Sequence, residues 1–380
     1  MRIGIYGGTF DPVHKKHLET VQKIKDEFNL DKIIVMPAST PPHKQGKEIL
    51  ADNLRLEMVK ETFKNEPNVE VSEYEIDKKG KSYTVETLQR FKNLYKKDKL
   101  FFIVGYDMLL DFYSWREPSR ILSYADLIVV RRGKSSNVTK ERERFKFTFG
   151  KNFRLSKYVL EDISSTKIRI YAMLGLPISD YVTDSVEKII VSKGIYKSEF
   201  GNKILSLVKP KRLRHIANVA VMALNIARRE GLPYEKVYLS AILHDIAKYQ
   251  VDNKEYSIFY ENGVEIKVPY PVAHAYLGKE IAEREFGIKD SEILDAIKYH
   301  TSGRANMTKL EKLIYVADML EEDRNYDGVN RLRELYYKDF EKCFIECIKG
   351  SYKLLKQKSI SGEIFYETIN AYNYYVKGEE

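Results

Sequence analysis

The sequence predicts an α/β doubly wound parallel sheet in its first half and an all-α region in its second. Three observations carry this expectation. Short apolar runs alternate with helical patterns through the first half. Helical periodicity dominates almost all of the second half. A polar stretch without strong periodicity, Lys197 to Lys203, separates them. With 380 residues the chain exceeds one ordinary domain, and the boundaries read as 1–198 and 203–380.

Each element follows from its pattern. Arg2–Tyr6, Lys32–Met36, Leu100–Val104 and Asp126–Val130 are short apolar runs between turn residues, as buried parallel strands require. Leu18–Phe28, Leu54–Phe63 and Val85–Leu94 carry the helical spacing between them. Such alternation places ligand sites at the carboxyl ends of the strands. Ser185–Ser192 forms a further amphipathic helix, with Gly194 suited to its C-terminal cap. Beyond the polar stretch, Arg214–Arg229, Tyr234–Ala247, Ala275–Phe286, Ser291–Tyr299 and Lys309–Leu320 read as helices. Asn253–Pro271, rich in Tyr, Gly and Pro, reads as a loop or hairpin over a site. Cys343 and Cys347, four apart, share a helix face as core thiols and complete no disulfide or zinc pattern.

Composition narrows the partners. No uncharged apolar run approaches the roughly 18 residues of a membrane span, and the N-terminus runs directly into a strand, so a cytoplasmic protein is expected. The formal net charge of +9 suits polyanionic ligands, though lysines such as Lys92, Lys96, Lys97 and Lys99 read equally as a solvated face. No aromatic-basic motif supports nucleic-acid binding, and no membrane partner is expected. Oligomeric assembly is left open.

The seven histidines fall into two groups. After the first strand comes Gly7-Gly8-Thr9-Phe10-Asp11-Pro12-Val13-His14-Lys15-Lys16-His17. Glycines let the backbone turn sharply and approach a phosphate. His14 and His17, three apart, then lie on one face of the first helical turn, where free N–H groups and the helix dipole favour an anion. Taken alone, the same string also suits an ordinary strand–helix turn with surface histidines.

The string resembles the signature of the nucleotidyltransferase superfamily, and within it the nicotinate mononucleotide adenylyltransferases. Further matches follow in order: Pro41-Pro42-His43-Lys44, Ser82-Tyr83-Thr84-Val85-Glu86-Thr87-Leu88, Val104-Gly105-Tyr106-Asp107 before Trp115, Arg131-Arg132-Gly133, and Ser164-Ser165-Thr166-Lys167-Ile168-Arg169. The resemblance implies a Rossmann-like nucleotidyltransferase domain that makes deamido-NAD and pyrophosphate from ATP and nicotinate mononucleotide with Mg²⁺. It implies ATP binding by Gly7, Gly8, Thr9, Phe10, His14, His17, Gly105, Ser164, Ser165, Thr166 and Arg169, with His14 and His17 catalytic. It implies acceptor binding by His43, Lys44, Thr84, Asp107, Trp115 and Arg132, with Trp115 offering a flat face to the pyridine ring. The chain departs from the family pattern at Lys16, where Gly is usual, and at Tyr106, where Ala is common.

His215, His244-Asp245, His274, His300 and Asp318 recur about one helix, or helix plus loop, apart, as when successive helices each contribute an inward ligand. Imidazole with carboxylate suits a divalent transition metal, iron, manganese, zinc or nickel, and six ligands exceed one tetrahedral site, which points to two ions. Hydrogen-bonded core histidines are the plainer alternative, although burying adjacent ionisable groups without a partner is costly. Arg212-Leu213-Arg214-His215, Leu243-His244-Asp245-Ile246-Ala247-Lys248, His300-Thr301 and Tyr315-Val316-Ala317-Asp318, then Arg324, resemble the HD-domain phosphohydrolases, nearest those that split diadenosine tetraphosphate symmetrically. The resemblance implies an HD-type helical domain, a catalytic Asp245, release of two ADP from a dinucleoside polyphosphate, and polyphosphate binding by Lys248, Arg304 and Arg324. A nucleotide-sensing module without catalysis is the alternative.

Overall fold

A computed structural model describes residues 1–39, 49–78, 83–132, 138–160, 164–252, 254–261, 263–358 and 364–378, with the side chains of Arg132, Leu160 and Lys358 excepted. Its contacts divide it into two units, residues 1–169 with 177–195, and residues 170–176 with 196–380.

The first unit is built on β1 (Arg2–Gly8), α1 (Lys15–Glu27), β2 (Lys32–Pro37), α2 (Asp52–Phe63), β3 (Val69–Val71), α3 (Tyr74–Lys78), α4 (Thr84–Leu94) and β4 (Lys99–Gly105). It continues through α5 (Tyr106–Asp111), α6 (Pro118–Tyr124), β5 (Asp126–Arg132), α7 (Val138–Phe149), β6 (Arg154–Leu160), the start of α8 (Ser165–Met173), whose last turn, from Ile170, belongs to the second unit, and α9 (Asp184–Ser192). The strands pair in the order β3-β2-β1-β4-β5-β6, and each pairing is parallel. Ile3, Ile5, Ile33, Ile34, Val35, Phe101, Ile128 and Val129 are wholly buried. Such runs are apolar on both faces because helices cover the sheet on both sides. Strand order reverses between β1 and β4, and there the ends of the adjacent strands leave a crevice for ligand. Gly8 and Gly105 close those two strands.

The central strands are the four that the apolar runs predict. The edge strands β3 and β6 carry no such run: Val-Glu-Val is short, and Arg-Leu-Ser-Lys-Tyr-Val-Leu mixes charge with apolar residues. Edge strands do not need two apolar faces.

The second unit holds α10 (Glu199–Leu207), α11 (Pro210–Glu230), α12 (Tyr234–Leu243), β7 (Tyr256–Glu261), β8 (Val264–Pro269), α13 (Tyr270–Phe286), α14 (Ser291–Tyr299), α15 (Lys309–Leu320), α16 (Val329–Lys338), α17 (Phe340–Lys358) and α18 (Tyr366–Tyr372). Lys197–Lys203 is not an irregular connection. The Ser198 side chain accepts the Gly201 N–H at 3.0 Å and starts α10. Gly201 is a packing residue, since a Cβ there would lie 2.7 Å from Met173 Cγ. The predicted helix Tyr234–Ala247 instead stops at Leu243, and His244 to Gln250 form successive turns. Within Asn253–Pro271 the chain forms the antiparallel hairpin β7–β8, while α13 begins at Tyr270 with Pro271 in its first turn. Cys343 and Cys347 are fully buried on α17. Among the described residues no helix is long and apolar enough to cross a membrane.

Candidate functional site

In the first unit, the turn after β1 meets the starts of two helices. Gly7 and Gly8 both stay within β1. Contrary to the expected glycine turn, the left-handed residue is Phe10, with φ 50° and its ring buried. Gly8 is required for close approach, because a Cβ there would lie 2.9 Å from the Phe10 ring. His14 is the N-terminal cap of α1, in extended conformation, and His17 is the third residue of that helix. Their rings stack with centroids 3.6 Å apart. The His14 main-chain N–H donates to His17 Nδ1 at 3.1 Å. With Nδ1 accepting, a neutral His17 carries its proton on Nε2 and presents that nitrogen as a donor.

The start of α8 packs on the same turn. Ser165 Oγ donates to the Pro12 carbonyl at 3.0 Å, and Arg169 Nη1 donates to the Asp11 carbonyl at 2.6 Å. Ser164 Oγ accepts the Lys167 N–H at 3.2 Å and caps α8, while Arg169 Nη2 reaches Thr166 Oγ1 at 3.2 Å. Two helix N-termini with their free N–H groups therefore converge on Asp11–His14, an arrangement that attracts oxyanions. Arg169 is not simply a free cation of this site: it also lies 3.8 Å from the Asp11 carboxylate.

Of the acceptor-side candidates, Thr84 begins α4, and Asp107 is the second residue of α5, which is capped by Gly105. Trp115 is half-buried, with its ring 5.4 Å from Phe112 and 6.2 Å from Phe102. His43, Lys44 and the Arg132 side chain lie outside the described residues.

Sequence reasoning missed Arg55, a fully buried arginine on α2. Its Nη1 donates to the Thr9 carbonyl at 2.5 Å, Nη2 to the Ser39 carbonyl at 3.2 Å and Nε to the Leu50 carbonyl at 2.9 Å. It also pairs with Asp52. One guanidinium thus fastens the glycine turn to the chain leaving β2. Its signal was a charge on the same helical face as Met58, Val59 and Thr62, which are also buried.

In the second unit four imidazoles surround one carboxylate. His215 comes from α11, His244 and Asp245 follow α12, His274 lies on α13, and His300 follows α14. Asp245 Oδ2 lies 3.7 Å from His215 Nε2 and 3.6 Å from His244 Nε2. Its Oδ1 lies 3.1 Å from His274 Nε2 and 3.5 Å from His300 Nε2. The ligand atoms form two overlapping triplets, His215/His244/Asp245 and Asp245/His274/His300, each within 4.8 Å. Asp318 adjoins this cluster through His215 Nε2 at 3.0 Å, and Arg324 Nη2 donates to it at 2.5 Å. Arg212 pairs with Asp245.

The donor set suits cations. His244 Nδ1 donates to the Ala241 carbonyl at 2.6 Å and His300 Nδ1 to the Ile297 carbonyl at 2.7 Å. Neutral rings so oriented carry lone pairs on Nε2. His244 Nε2 faces His215 Nε2 at 3.3 Å, and His300 Nε2 faces His274 Nε2 at 3.3 Å. Burial holds His244 down to about 3 and His274 to about 4. Burial alone would raise the Asp245 carboxyl, but the surrounding histidines hold it well below the usual carboxylate range. Neutral His244 and His274 beside an ionised carboxylate are the ligand forms that divalent ions require.

The polyphosphate candidates divide. Lys248 Nζ lies 3.1 Å from His274 Nε2, at the cluster, and burial lowers its pKa. Arg324 is joined through Asp318. Arg304 is engaged elsewhere: it donates twice to the buried Glu311 at 2.8 Å and once to Asp295 at 3.1 Å. Two polar groups without an assigned role stand beside the cluster. Thr301 Oγ1 lies 3.2 Å from His274 Nε2 and 3.0 Å from His300 Nε2, and Glu321 Oε1 lies 3.1 Å from His215 Nδ1.

Comparison with known proteins agrees with this division. Residues 5–170 match the cytidylyltransferase-like family and residues 212–323 match the HD domain. A "probable nicotinate-nucleotide adenylyltransferase" of Clostridium botulinum (strain Alaska E43 / Type E3) is 43% identical over 202 residues, 52% of this chain and 99% of the relative. One of the same description from Clostridium tetani is 36% identical over 195 residues, 51% of this chain and 98% of the relative. A crystal structure described as a predicted HD superfamily hydrolase involved in NAD metabolism, from Clostridium acetobutylicum, is 29% identical and covers 47% of this chain and 95% of its own, with a TM-score of 0.39. Through its first half the chain belongs to the nicotinate-nucleotide adenylyltransferase family, and an HD domain follows it.

Proposed function

We propose that the first unit transfers the adenylyl group of ATP to nicotinate mononucleotide, forming deamido-NAD and pyrophosphate in NAD biosynthesis. The observation that carries this is the convergence of two helix N-termini on the turn that holds the stacked His14–His17 pair, at the β1/β4 crevice. The descriptions of the relatives support the acceptor. A mononucleotide phosphate oxygen bonds to the α-phosphorus of ATP as the bond to the β-phosphate oxygen breaks. Such in-line transfer chiefly needs positioning and charge neutralisation. His14, His17 and the N–H groups of α1 and α8 stabilise the triphosphate, with Gly7, Gly8, Thr9, Phe10, Gly105, Ser164, Ser165, Thr166 and Arg169 shaping its cradle. Mg²⁺ supplies further neutralising charge when bound. Thr84, Asp107, Trp115 and Arg132, with His43 and Lys44, take the acceptor. Pyrophosphate release assayed with nicotinate mononucleotide, nicotinamide mononucleotide and ATP tests this. Turnover favouring nicotinate is expected, and no turnover with either acceptor overturns it.

We further infer that the second unit is a metal-dependent phosphohydrolase acting on a dinucleoside polyphosphate, with diadenosine tetraphosphate plus water giving two ADP. Asp245, presenting one oxygen to each histidine pair, is the carrying observation, since a buried carboxylate among imidazoles is a donor set that would hold divalent ions. His215, His244, Asp245, His274 and His300, with Asp318 at the edge, would hold a pair of divalent transition-metal ions, iron among those that suit the donors. Bound ions would activate water and neutralise phosphate charge. Lys248 and Arg324 would steady the polyphosphate, Arg304 only after leaving Glu311. Elemental analysis with a diadenosine tetraphosphate assay of the full chain checks this. Metal-free protein without hydrolysis overturns it in favour of a nucleotide-sensing module.

A further inference from the structure

The four histidines of the second unit differ at the nitrogen that faces away from the cluster. His244 and His300 each place Nδ1 on a main-chain carbonyl three residues earlier. At His274 the Lys248 ammonium lies 3.4 Å from Nδ1 and nearer, at 3.1 Å, to the inward Nε2. His215 alone among them has a carboxylate there, Glu321 Oε1 at 3.1 Å. That carboxylate is itself fixed. Glu321 is 2% exposed, and its Oε2 accepts the Asp323 main-chain N–H at 2.7 Å. Asn218, on α11 one turn after His215, donates to the Asp323 carboxylate at 3.0 Å and holds the same corner.

We propose that Glu321 is a positioning residue that holds the proton of His215 on Nδ1 and aims Nε2 at the ion shared with His244 and Asp245. This rests on reading the cluster as a metal centre. A carboxylate on the outer nitrogen fixes ring orientation and tautomer and makes the inner nitrogen a stronger donor, and loss of such a partner typically costs about 10–100-fold in metal affinity. Main-chain carbonyls hold His244 and His300 less strongly, so the half of the cluster with His215 binds its ion more tightly. Glu321 is also the outer partner that a substitution can remove, which a carbonyl is not.

The test is Co²⁺ titration of the full-length protein, followed by visible absorption and by competition with a chelator, for wild type, E321Q and E321D. E321Q is expected to weaken the first Co²⁺ about 10–100-fold and to change its absorption band, because the His215 ligand turns. E321D, which keeps the charge at a longer reach, is expected to recover part of the affinity and to carry the comparison should E321Q fail to fold. A merely structural Glu321 would lower the thermal midpoint and leave the band and the affinity of the folded protein untouched. That outcome overturns the proposal while the metal centre stands. Wild type that takes up no Co²⁺ overturns both.

Discussion

The candidate sites of the two units are built on different electrostatics. In the first, the anion-facing groups are main-chain N–H donors at the starts of α1 and α8, joined by two stacked imidazoles, and the buried charges at the turn already have partners within the protein, Arg55 with Asp52 and Asp11 with Arg169. In the second, an ionised carboxylate and four imidazoles are gathered away from water, with Arg212 and Lys248 against them. Main-chain dipoles at helix ends need no counterion, so the first site is assembled by the fold alone. Buried charges do need one, and at the second site Arg212 and Lys248 offset the Asp245 carboxylate, while the inward Nε2 atoms of His244 and His300 offer the lone pairs that a divalent ion takes. The first should therefore tolerate metal removal in its structure, and the second should not.

Four predictions sharpen this contrast, the largest first. Asp245→Asn removes the carboxylate common to both triplets. Bound transition metal is expected to vanish from elemental analysis and hydrolysis to fall about 100-fold or more, beyond the range for outer partners, while adenylyl transfer persists. A parallel loss of both activities would break the division of labour.

His14→Ala or His17→Ala is expected to lower kcat/KM for pyrophosphate release about 10²–10³-fold, the scale for losing one preorganised donor. Elemental analysis of the same variants should show unchanged transition metal.

Arg55→Met leaves the Thr9, Ser39 and Leu50 carbonyls without their guanidinium partner. A destabilisation of about 3 kcal/mol follows from unsatisfied groups costing roughly 1–3 kcal/mol each, partly relieved by water. Chemical denaturation reads it, and KM for ATP should rise in the surviving protein. Unchanged KM would show that the glycine turn holds itself.

The smallest effect is that of pH on the metal-free protein. The folded values of about 3 for His244 and about 4 for His274 lie below the ordinary 6.5. Unfolding therefore takes up protons as pH falls below about 6.5, and each histidine removes up to about 1.4 kcal/mol of stability per pH unit. His215 works oppositely. Burial lowers it, but Asp318 and Glu321 outweigh that and raise it, so its contribution is present at low pH and fades as pH rises through its folded value. His215, raised above 6.5, is already protonated throughout that window and adds no slope there, so the metal-free second unit should lose stability from pH 6.5 towards 4 through His244 and His274, and metal should reverse the loss. Differential scanning calorimetry with and without chelator checks it; a flat profile would contradict the buried neutral histidines.

How much was legible in the sequence follows physical lines. Strands β1, β2, β4 and β5 were readable because strands covered on both faces must be apolar throughout, and β3 and β6 were not because edges escape that demand. The start of α10 was missed because Gly201 looks like a breaker in one dimension, whereas its missing Cβ makes room for Met173. The glycine turn was foreseen, but its left-handed residue is Phe10, since the aromatic ring packs back over Gly8. His215, His244, His274 and His300 announced themselves by residue type and spacing. Glu321 did not, because a carboxylate on a helix-end turn has no periodic signature, and Thr301 appeared only beside His300 in its motif, without a role.

By itself, then, the chain's order of residues determined the α/β-then-helical plan, the glycine–histidine turn and the kinds of ligand on successive helices, because apolar periodicity and local stereochemistry act over a few neighbours. Tertiary structure alone decided which groups meet. It put Asp245 between two histidine pairs, gave His215 a carboxylate at its back, drew Arg304 away to Glu311, and buried Arg55 under the turn that ends β1. Hydrogen bonds and charges join atoms distant in sequence, and only packing brings them within reach.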